Sequence, residues 1–177
     1  MNHARGLLHL YCGDGKGKTT AAMGLILRRL GRGGKVVLVQ FLKDTPSGEI
    51  TALKQFENIT ILRGKAGAKF TFQMTEQEKQ ETAKIHEANL EKAIEIVKDG
   101  RCDLLVLDEA AAALQCGLLS EKPIKELIAM GEERPEIVIT GRNPPQFLWE
   151  AADYITEMKL HKHPFEKGIA AREGIEF

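Results

Sequence analysis

Near the amino end of the chain, glycines alternate with charged residues in a run that could bind phosphate, Gly13-Asp14-Gly15-Lys16-Gly17-Lys18-Thr19-Thr20. Glycines let the backbone curl so that successive N–H groups form a concave anion site. A following helix adds roughly half a positive charge at its N-terminus. Lys18 would bring a full charge to the phosphates, and the Thr19 hydroxyl would bind Mg²⁺. We therefore predict that residues 13–20 bind the triphosphate of ATP together with Mg²⁺.

Two features of this run leave alternatives open. The strict phosphate-loop pattern has a glycine at position 12, where this chain has Cys12. The match is therefore a variant, which depends on Gly13, Gly15 and Gly17. Lys16 either contacts phosphate or is simply solvated, and the spacing does not distinguish the two.

A pair of acidic residues, Asp108-Glu109, follows the apolar run at residues 104–107. An acidic pair after a strand is commonly a helix cap. Beside a phosphate loop, however, such a group holds Mg²⁺ directly or through water and orients the reacting group. We predict that the pair Asp108-Glu109 acts with Lys18 in catalysis, by holding Mg²⁺ together with the Thr19 hydroxyl or by orienting the reacting group.

Two further positions carry weaker signals. Arg142 follows another strand, and its planar guanidinium suits oxyanions, but a surface arginine in a turn fixed by two prolines is an equal alternative. Phe70 and Phe72 are spaced i, i+2, so an extended segment would aim both rings the same way. Spacing alone favours ordinary core packing for this pair over a flat apolar platform.

Strands alternate with helices along the chain. Predicted strands are residues 7–12, 35–41, 59–62, 104–107, 136–140 and 154–158, and predicted helices follow the phosphate loop and lie near 50–56, 75–98, 124–130 and 146–152. This alternation predicts an α/β P-loop fold with a mainly parallel sheet of about six strands and helices on both faces. Ligands of such sheets bind at the carboxyl ends of the strands. The loops at 13–19, 40–49, 63–72, 108–109 and 140–145 should therefore converge on one edge.

Composition excludes several classes of protein. The 177 residues predict a single domain covering 1–177, and 43% hydrophobic residues can supply a core. Lys plus Arg and Asp plus Glu are equal at 25 each, which argues against nucleic-acid binding. Three cysteines without C-x-x-C spacing form neither a disulfide framework nor a zinc site. Without a signal peptide or an apolar span, we expect a cytoplasmic protein with no membrane association.

Taken together, the motifs resemble the P-loop ATP:corrinoid adenosyltransferases. The similar segments are YCGDGKGKTTAAMGL, GGKVVLVQFLK, SGE at 47–49, LLVLDE, ERPEIVITGRNPP, AADYITEMK and KHPFEKGIAAREGIEF. They extend over essentially the whole chain from residue 7 to residue 177. The resemblance implies transfer of the 5′-deoxyadenosyl group of ATP to the cobalt(I) of a corrinoid, with release of triphosphate.

The resemblance also carries residue roles. Gly13 to Thr19 match the family's phosphate loop, and Thr19 with Glu109 match its metal ligands. Phe70 and Phe72 align with two aromatics that displace the lower axial ligand of the corrinoid, which favours a functional role for the pair. ATP, Mg²⁺ and corrinoid are the implied ligands, a flavoprotein reductase the implied electron donor, and a homodimer the implied assembly. Rival interpretations are a kinase or phosphohydrolase using the same ATP site, and a non-catalytic nucleotide or corrinoid carrier.

Overall fold

The structure is a computed structural model, and it describes residues 5–43, 46–64 and 71–176, with the backbone alone at Phe72. The described part contains six strands, β1 (Leu8–Cys12), β2 (Val36–Gln40), β3 (Ile59–Arg63), β4 (Leu104–Asp108), β5 (Glu136–Thr140) and β6 (Tyr154–Glu157). Its α-helices are α1 (Lys18–Leu30), α2 (Gly48–Leu53), α3 (Glu76–Lys98), α4 (Ala110–Gln115), α5 (Glu121–Ile128) and α6 (Gln146–Ala151). Short 3₁₀ helices span Thr71–Gln73 and Pro164–Lys167.

The six strands form one sheet in the order β3-β2-β4-β5-β1-β6, and every neighbouring pair is parallel. The register places Val36 opposite Leu104 and Leu8 opposite Ile137. Because all strands point the same way, their carboxyl ends share one edge. The predicted parallel α/β fold is confirmed.

Helices cover both faces of the sheet. On one face, α1 and α2 bury apolar side chains that include Ile26 and Ile50. On the other face, helices α3 to α6 contribute to a larger cluster with the alternate residues of the strands, such as Leu105 and Leu107. A strand covered on both faces must be apolar throughout, and all five residues of β4 are buried. The polar members of the buried strands β2 and β4, Gln40 and Asp108, lie at their carboxyl ends.

The observed elements follow the predicted pattern with small changes at the boundaries. Helix α3 begins with a capping box, since Thr75 Oγ1 accepts a hydrogen bond from Glu78 N at 3.2 Å and Thr75 N donates to Glu78 Oε2 at 2.8 Å. Helix α4 was not predicted. Three of its four alanines are buried, and its sequence AAAALQ lacks the polar face that would mark an amphipathic helix. In the described residues, no helix has the length and apolar character needed to cross a membrane.

Candidate nucleotide-binding site

The loop between β1 and α1 requires glycine for two different reasons, and Gly17, with φ +117°, shares the first of them with Gly13. Gly13 has φ +93°, a conformation that residues with a Cβ rarely adopt. Gly15 is needed because the chain after β6 passes very close: a Cβ at this position would lie 2.7 Å from the Met158 carbonyl oxygen. The loop is therefore shaped both by its own backbone and by the segment that packs against it.

This packing changes one expectation about the loop. We predicted that its successive N–H groups would point into a single anion site. The Gly15 N–H instead donates to the Met158 carbonyl oxygen at 2.7 Å. Gly15 therefore anchors the loop to the end of β6.

Lys18 is the first residue of α1, and its side chain folds back into the loop. Its Nζ donates to the carbonyl oxygens of Gly13 and Gly15, each at 2.7 Å. Only 8% of the residue is exposed, and this burial lowers the pKa of Lys18, with the nearby Arg142 charge acting in the same direction. Glu109 and Asp14 oppose that shift. The loop thus holds a desolvated cation at the N-terminus of a 13-residue helix, an arrangement suited to polyphosphate.

A fully buried carboxylate, Asp108, lies beside Lys18's neighbour Thr19 and collects hydrogen bonds from four elements. Its Oδ1 accepts from Thr19 Oγ1 at 2.9 Å and from Thr140 Oγ1 at 2.7 Å. Its Oδ2 accepts from Gln40 Nε2 and from Lys43 Nζ, each at 3.1 Å. A buried charge is tolerated only when it is paired and hydrogen-bonded in this way. Asp108 therefore ties the loop to the ends of β2, β4 and β5.

Glu109 is placed by an unusual backbone conformation at the start of α4. It has φ +61°, and its N–H donates to Thr140 Oγ1 at 2.9 Å. Its Oε1 lies 3.6 Å from Lys43 Nζ. Asp108 contacts Thr19 directly, and Glu109 is joined to the same group of side chains through Lys43.

The hydroxyl and the two carboxylates fit Mg²⁺, which prefers oxygen ligands and usually takes one or two carboxylates with the remaining positions filled by phosphate and water. Thr19, Asp108 and Glu109 supply such donors, and Lys43 Nζ already provides a positive charge among them. In the described residues there is no group of three or more His, Cys, Asp and Glu side chains that could hold a metal ion on its own. A metal here would accordingly depend on the nucleotide for further ligands.

The other residues predicted in or near the loop, Arg142, Lys16 and Thr20, differ in where their side chains lie. Arg142 lies close to the loop, with Nη2 donating to the Asp14 carbonyl oxygen at 3.4 Å, but its side chain is 64% exposed. Lys16 points away from Lys18 and pairs with Glu176 Oε1 at 2.7 Å. Thr20 is exposed on the first turn of α1. The alternative in which Lys16 is simply solvated therefore did not include its ion pair with Glu176, which lies 160 positions later in the chain.

Sequence reasoning missed three polar residues of the site: Gln40, Lys43 and Thr140. Each is at or just after the carboxyl end of a strand. Gln40 is a single polar residue in the apolar run VVLVQ, and it is 1% exposed. A single polar residue at the end of a buried strand is the sequence signal that could have identified Gln40, because burying a polar side chain without a hydrogen-bond partner is costly. Lys43 had no local signal, since its partners are distant in sequence.

The predicted aromatic platform lies outside the described residues: Phe70 completely, and Phe72 in its side chain. Cys12, the last residue of β1, is buried, with 1% of its surface exposed. Burial and the charge of Glu157 raise the pKa of the Cys12 thiol, although Lys18 opposes the shift. Cys12 is therefore held in its unreactive thiol form beside the loop.

Comparison with known proteins gives a consistent result. The family model for ATP:corrinoid adenosyltransferase BtuR/CobO/CobP matches residues 4–177. A corrinoid adenosyltransferase of Pseudomonas aeruginosa is 38% identical over 98% of this chain and 84% of its own length. Those of a Sinorhizobium species and of Escherichia coli K12 are each 34% identical over 98% of this chain, and the matches cover 81% and 86% of those proteins. The similarity therefore extends over nearly the full length of the chain.

Proposed function

Because the chain belongs to the ATP:corrinoid adenosyltransferase family BtuR/CobO/CobP, and is on that ground a corrinoid adenosyltransferase, we propose that it uses cobalt(I) as nucleophile and releases intact triphosphate. The electron pair of cobalt(I) attacks the ribose 5′ carbon of ATP. A cobalt–carbon bond forms, the bond from that carbon to the triphosphate oxygen breaks, and its electron pair leaves with the triphosphate. Cobalt is formally oxidised from the +1 to the +3 state.

The observation that carries this proposal is the arrangement of Lys18 and Asp108 around the loop. Lys18 Nζ is held by two loop carbonyls at 2.7 Å, and Asp108 fixes Thr19 at 2.9 Å. Preorganised charge of this kind stabilises a leaving group, because the site does not have to reorganise as charge develops. In this role Lys18 and the helix N-terminus bind the departing triphosphate, while Thr19 and Glu109, with Asp108 beside them, hold the metal. Bound Mg²⁺ would neutralise part of the triphosphate charge.

The site's own chemistry also supports a nucleophile carried by the substrate. Among the described residues, the thiol nearest the loop is that of Cys12, which is buried and protonated. The hydroxyls of Thr19 and Thr140 both donate hydrogen bonds to Asp108. The carboxylate therefore holds both hydroxyl protons, and its oxygens have no room for further hydrogen-bond donors. The protein's task is then to position two substrates, which can supply much of a rate acceleration.

Several parts of the proposal rest on the sequence pattern or on the resemblance to the family. Phe70 and Phe72 would face the corrinoid, Arg142 and residues 13–20 would contact ATP, and a flavoprotein reductase would supply the electron that makes cobalt(I). A homodimer, a single domain over residues 1–177 and a cytoplasmic location also remain predictions.

Product analysis tests the proposal directly. The full-length protein is incubated anaerobically with ATP, Mg²⁺ and chemically reduced corrinoid, while phosphorus NMR follows the products and absorption follows the cobalt. We expect one triphosphate for each alkylated corrinoid. A kinase or phosphohydrolase would cleave the terminal phosphate instead, so free phosphate as the sole initial product would refute the proposal. A carrier would bind corrinoid without consuming ATP.

A further inference from the structure

The ammonium of Lys43 lies among the oxygen atoms proposed above as metal donors. Lys43 Nζ donates to Thr19 Oγ1 at 2.6 Å and to Asp108 Oδ2 at 3.1 Å, and it lies 3.6 Å from Glu109 Oε1. These contacts join a loop after β2 to the residues that follow β1 and β4. Lys43 therefore already performs the electrostatic task of a cation at this point.

The backbone around Lys43 shows that this placement is built into the fold. The Phe41 N–H donates to the Asp108 carbonyl oxygen at 2.9 Å, which extends the β2–β4 ladder to the strand end. Leu42 then takes φ +57°, an uncommon conformation for a residue with a branched side chain. Its N–H points to His86 Nε2 at 3.4 Å. The turn at Leu42 thus directs the chain so that the ammonium of Lys43 lies among the proposed metal donors.

Lys43 and a divalent cation exclude each other from this position. Among the described residues, the cation within ion-pair distance of both Asp108 and Glu109 is Lys43. A magnesium ion bound to Thr19 would lie about 2.1 Å from its oxygen, close to the space that the ammonium fills. Two cations so near each other repel strongly where the dielectric constant is low. One of them must leave before the other can bind.

We propose that Lys43 is the resident counter-ion of the metal site, displaced when the metal enters with the nucleotide. In the nucleotide-free enzyme the single charge of Lys43 offsets part of the charge of the two carboxylates and keeps free metal out. When the metal–triphosphate binds, the ammonium moves from the carboxylates to the phosphate oxygens, so its charge is never left unpaired. The inference rests on the proposed metal site but is independent of the corrinoid chemistry. Its consequence is that metal and nucleotide binding are coupled.

Manganese binding to the nucleotide-free protein tests this coupling. Mn²⁺ is titrated into the full-length wild type and Lys43→Met, and the unbound ion is measured by electron paramagnetic resonance. We expect Lys43→Met to bind Mn²⁺ at least about tenfold more tightly, because a competing charge within a few ångströms has been removed. Lys43→Arg retains the charge and should stay close to the wild type. Lys92→Met, which removes an exposed lysine from α3, is the matched control.

A second titration is made in the presence of inorganic triphosphate. On addition of triphosphate, the wild type should gain much more affinity for Mn²⁺ than Lys43→Met does. In the wild type the triphosphate accepts the ammonium that Mn²⁺ displaces, whereas Lys43→Met has no ammonium to displace. Equal Mn²⁺ affinity of the nucleotide-free wild type and Lys43→Met would overturn the inference. It would also be overturned if Lys92→Met bound Mn²⁺ as tightly as Lys43→Met without triphosphate. If the wild type fails to bind Mn²⁺ even with triphosphate, the proposed metal site is wrong and the inference falls with it.

Thermal unfolding covers the case in which Lys43→Met is too unstable to titrate. Removing Lys43 leaves Asp108 buried with hydrogen-bond donors but without a paired charge, which is destabilising. Mn²⁺ should then raise the Tm of Lys43→Met by more than it raises the Tm of the wild type, because the metal replaces the missing cation. An equal rise in both proteins would contradict the role of Lys43.

Discussion

Adjacent residues in the phosphate loop face different partners, and this division determines their roles. Lys18 turns into the loop and donates to the Gly13 and Gly15 carbonyls, whereas Thr19 turns to the buried Asp108. The ammonium of Lys18 can leave those carbonyls for a phosphate at the cost of two hydrogen bonds. Thr19, by contrast, is held by a carboxylate that is itself fixed by Gln40 and Thr140. Lys18 is therefore the mobile charge of the loop, and Thr19 belongs to its fixed frame.

We expect Lys18→Ala to lower kcat/KM for triphosphate release by about 100- to 1000-fold, on the order of 3 kcal/mol, by analogy with the loss of one preorganised oxyanion donor. The measurement is initial triphosphate release with pre-reduced corrinoid. Lys54→Ala is the control, because Lys54 is exposed at the end of α2. A rate for Lys18→Ala within a few fold of the wild type would show that the triphosphate binds elsewhere.

At the residue scale, the sequence predicted which residues lie together where the signal was local. Gly13, Gly15, Lys18 and Thr19 stand in one short run whose spacing indicates a phosphate loop. Lys43 carries no such signal, because its function depends on Asp108, 65 positions later in the chain. Its contacts exist only after β2 and β4 have paired. A side chain whose partners come from another strand cannot be identified from the spacing of its own segment.

Elements were predicted best where burial imposes a simple pattern. β4 and β2 are covered on both faces, so their apolar runs were recognisable. β6 was also expected, but all four of its residues are exposed because it lies at the edge of the sheet. The missed helix α4 is short and buries alanines, which fit a helix, a strand or a turn equally well in isolation. Its position is set by Glu109 and Thr140 instead of by its own sequence.

The contact between α3 and the end of β2 depends on a buried histidine, His86. Its Nε2 accepts from the Leu42 N–H, and its ring packs edge-on against Phe41 with the ring centroids 5.2 Å apart. Burial lowers the pKa of His86, while the Leu118 backbone and the Glu87 charge partly oppose the shift. The folded protein therefore keeps this imidazole neutral over a range in which the unfolded chain binds a proton.

The sign of the resulting pH dependence follows from linkage. Above the unfolded pKa of about 6.5, neither state binds the proton and the His86 contact contributes fully to stability. As pH falls below that value, the unfolded state gains the proton first, and stability is lost down to the lowered pKa of the folded state. We expect His86→Gln to be less stable than the wild type at pH 7.5, by about 1–3 kcal/mol. The difference should narrow at pH 5.5.

Urea unfolding of both proteins at the two pH values measures this difference. His161→Gln is the matched control, because it removes a histidine from the exposed tail without altering the contact between α3 and β2. If the wild type and His86→Gln differ by the same free energy of unfolding at both pH values, His86 does not titrate as a buried group.

On the scale of the whole molecule, the parallel sheet brings the phosphate loop and the tail of the chain to the same edge. The phosphate loop follows the first strand, and the segment after β6, residues 158–176, returns to it. Met158 holds Gly15 at one end of this tail, and Glu176 holds Lys16 at the other. Between these anchors the tail and the loop enclose a cleft of about 590 Å³. The sequence predicted β6 but gave no indication that the tail would close back on the loop.

The tail is held by polar contacts more than by apolar burial. Phe165 is 77% exposed, and Ile175 is 60% exposed. Glu176, by contrast, accepts from Lys16 Nζ at 2.7 Å and from Arg172 at the backbone N–H and the guanidinium. These partners lower the pKa of Glu176 to about 2, with Arg172 contributing most. The Glu176 carboxylate is therefore charged throughout the neutral pH range, and its ion pairs contribute fully there.

Segments that bury little apolar surface detach from the rest of a protein at a low cost in free energy. The charge of Glu176 should therefore control how often the tail detaches from the loop. We expect Glu176→Gln to increase the rate of tryptic cleavage after Lys162 and Lys167 by a few fold, a small effect because exposed ion pairs are weak. Mass spectrometry of the fragments gives the rate.

Raising the salt concentration should accelerate cleavage of the wild type and change Glu176→Gln less, since salt screens the pairs that the variant has already lost. Glu173→Gln removes a neighbouring exposed carboxylate and should behave as the wild type. Cleavage of Glu176→Gln at the wild-type rate at low salt would mean that the Met158 anchor and the tail's own packing hold it against the loop without Glu176.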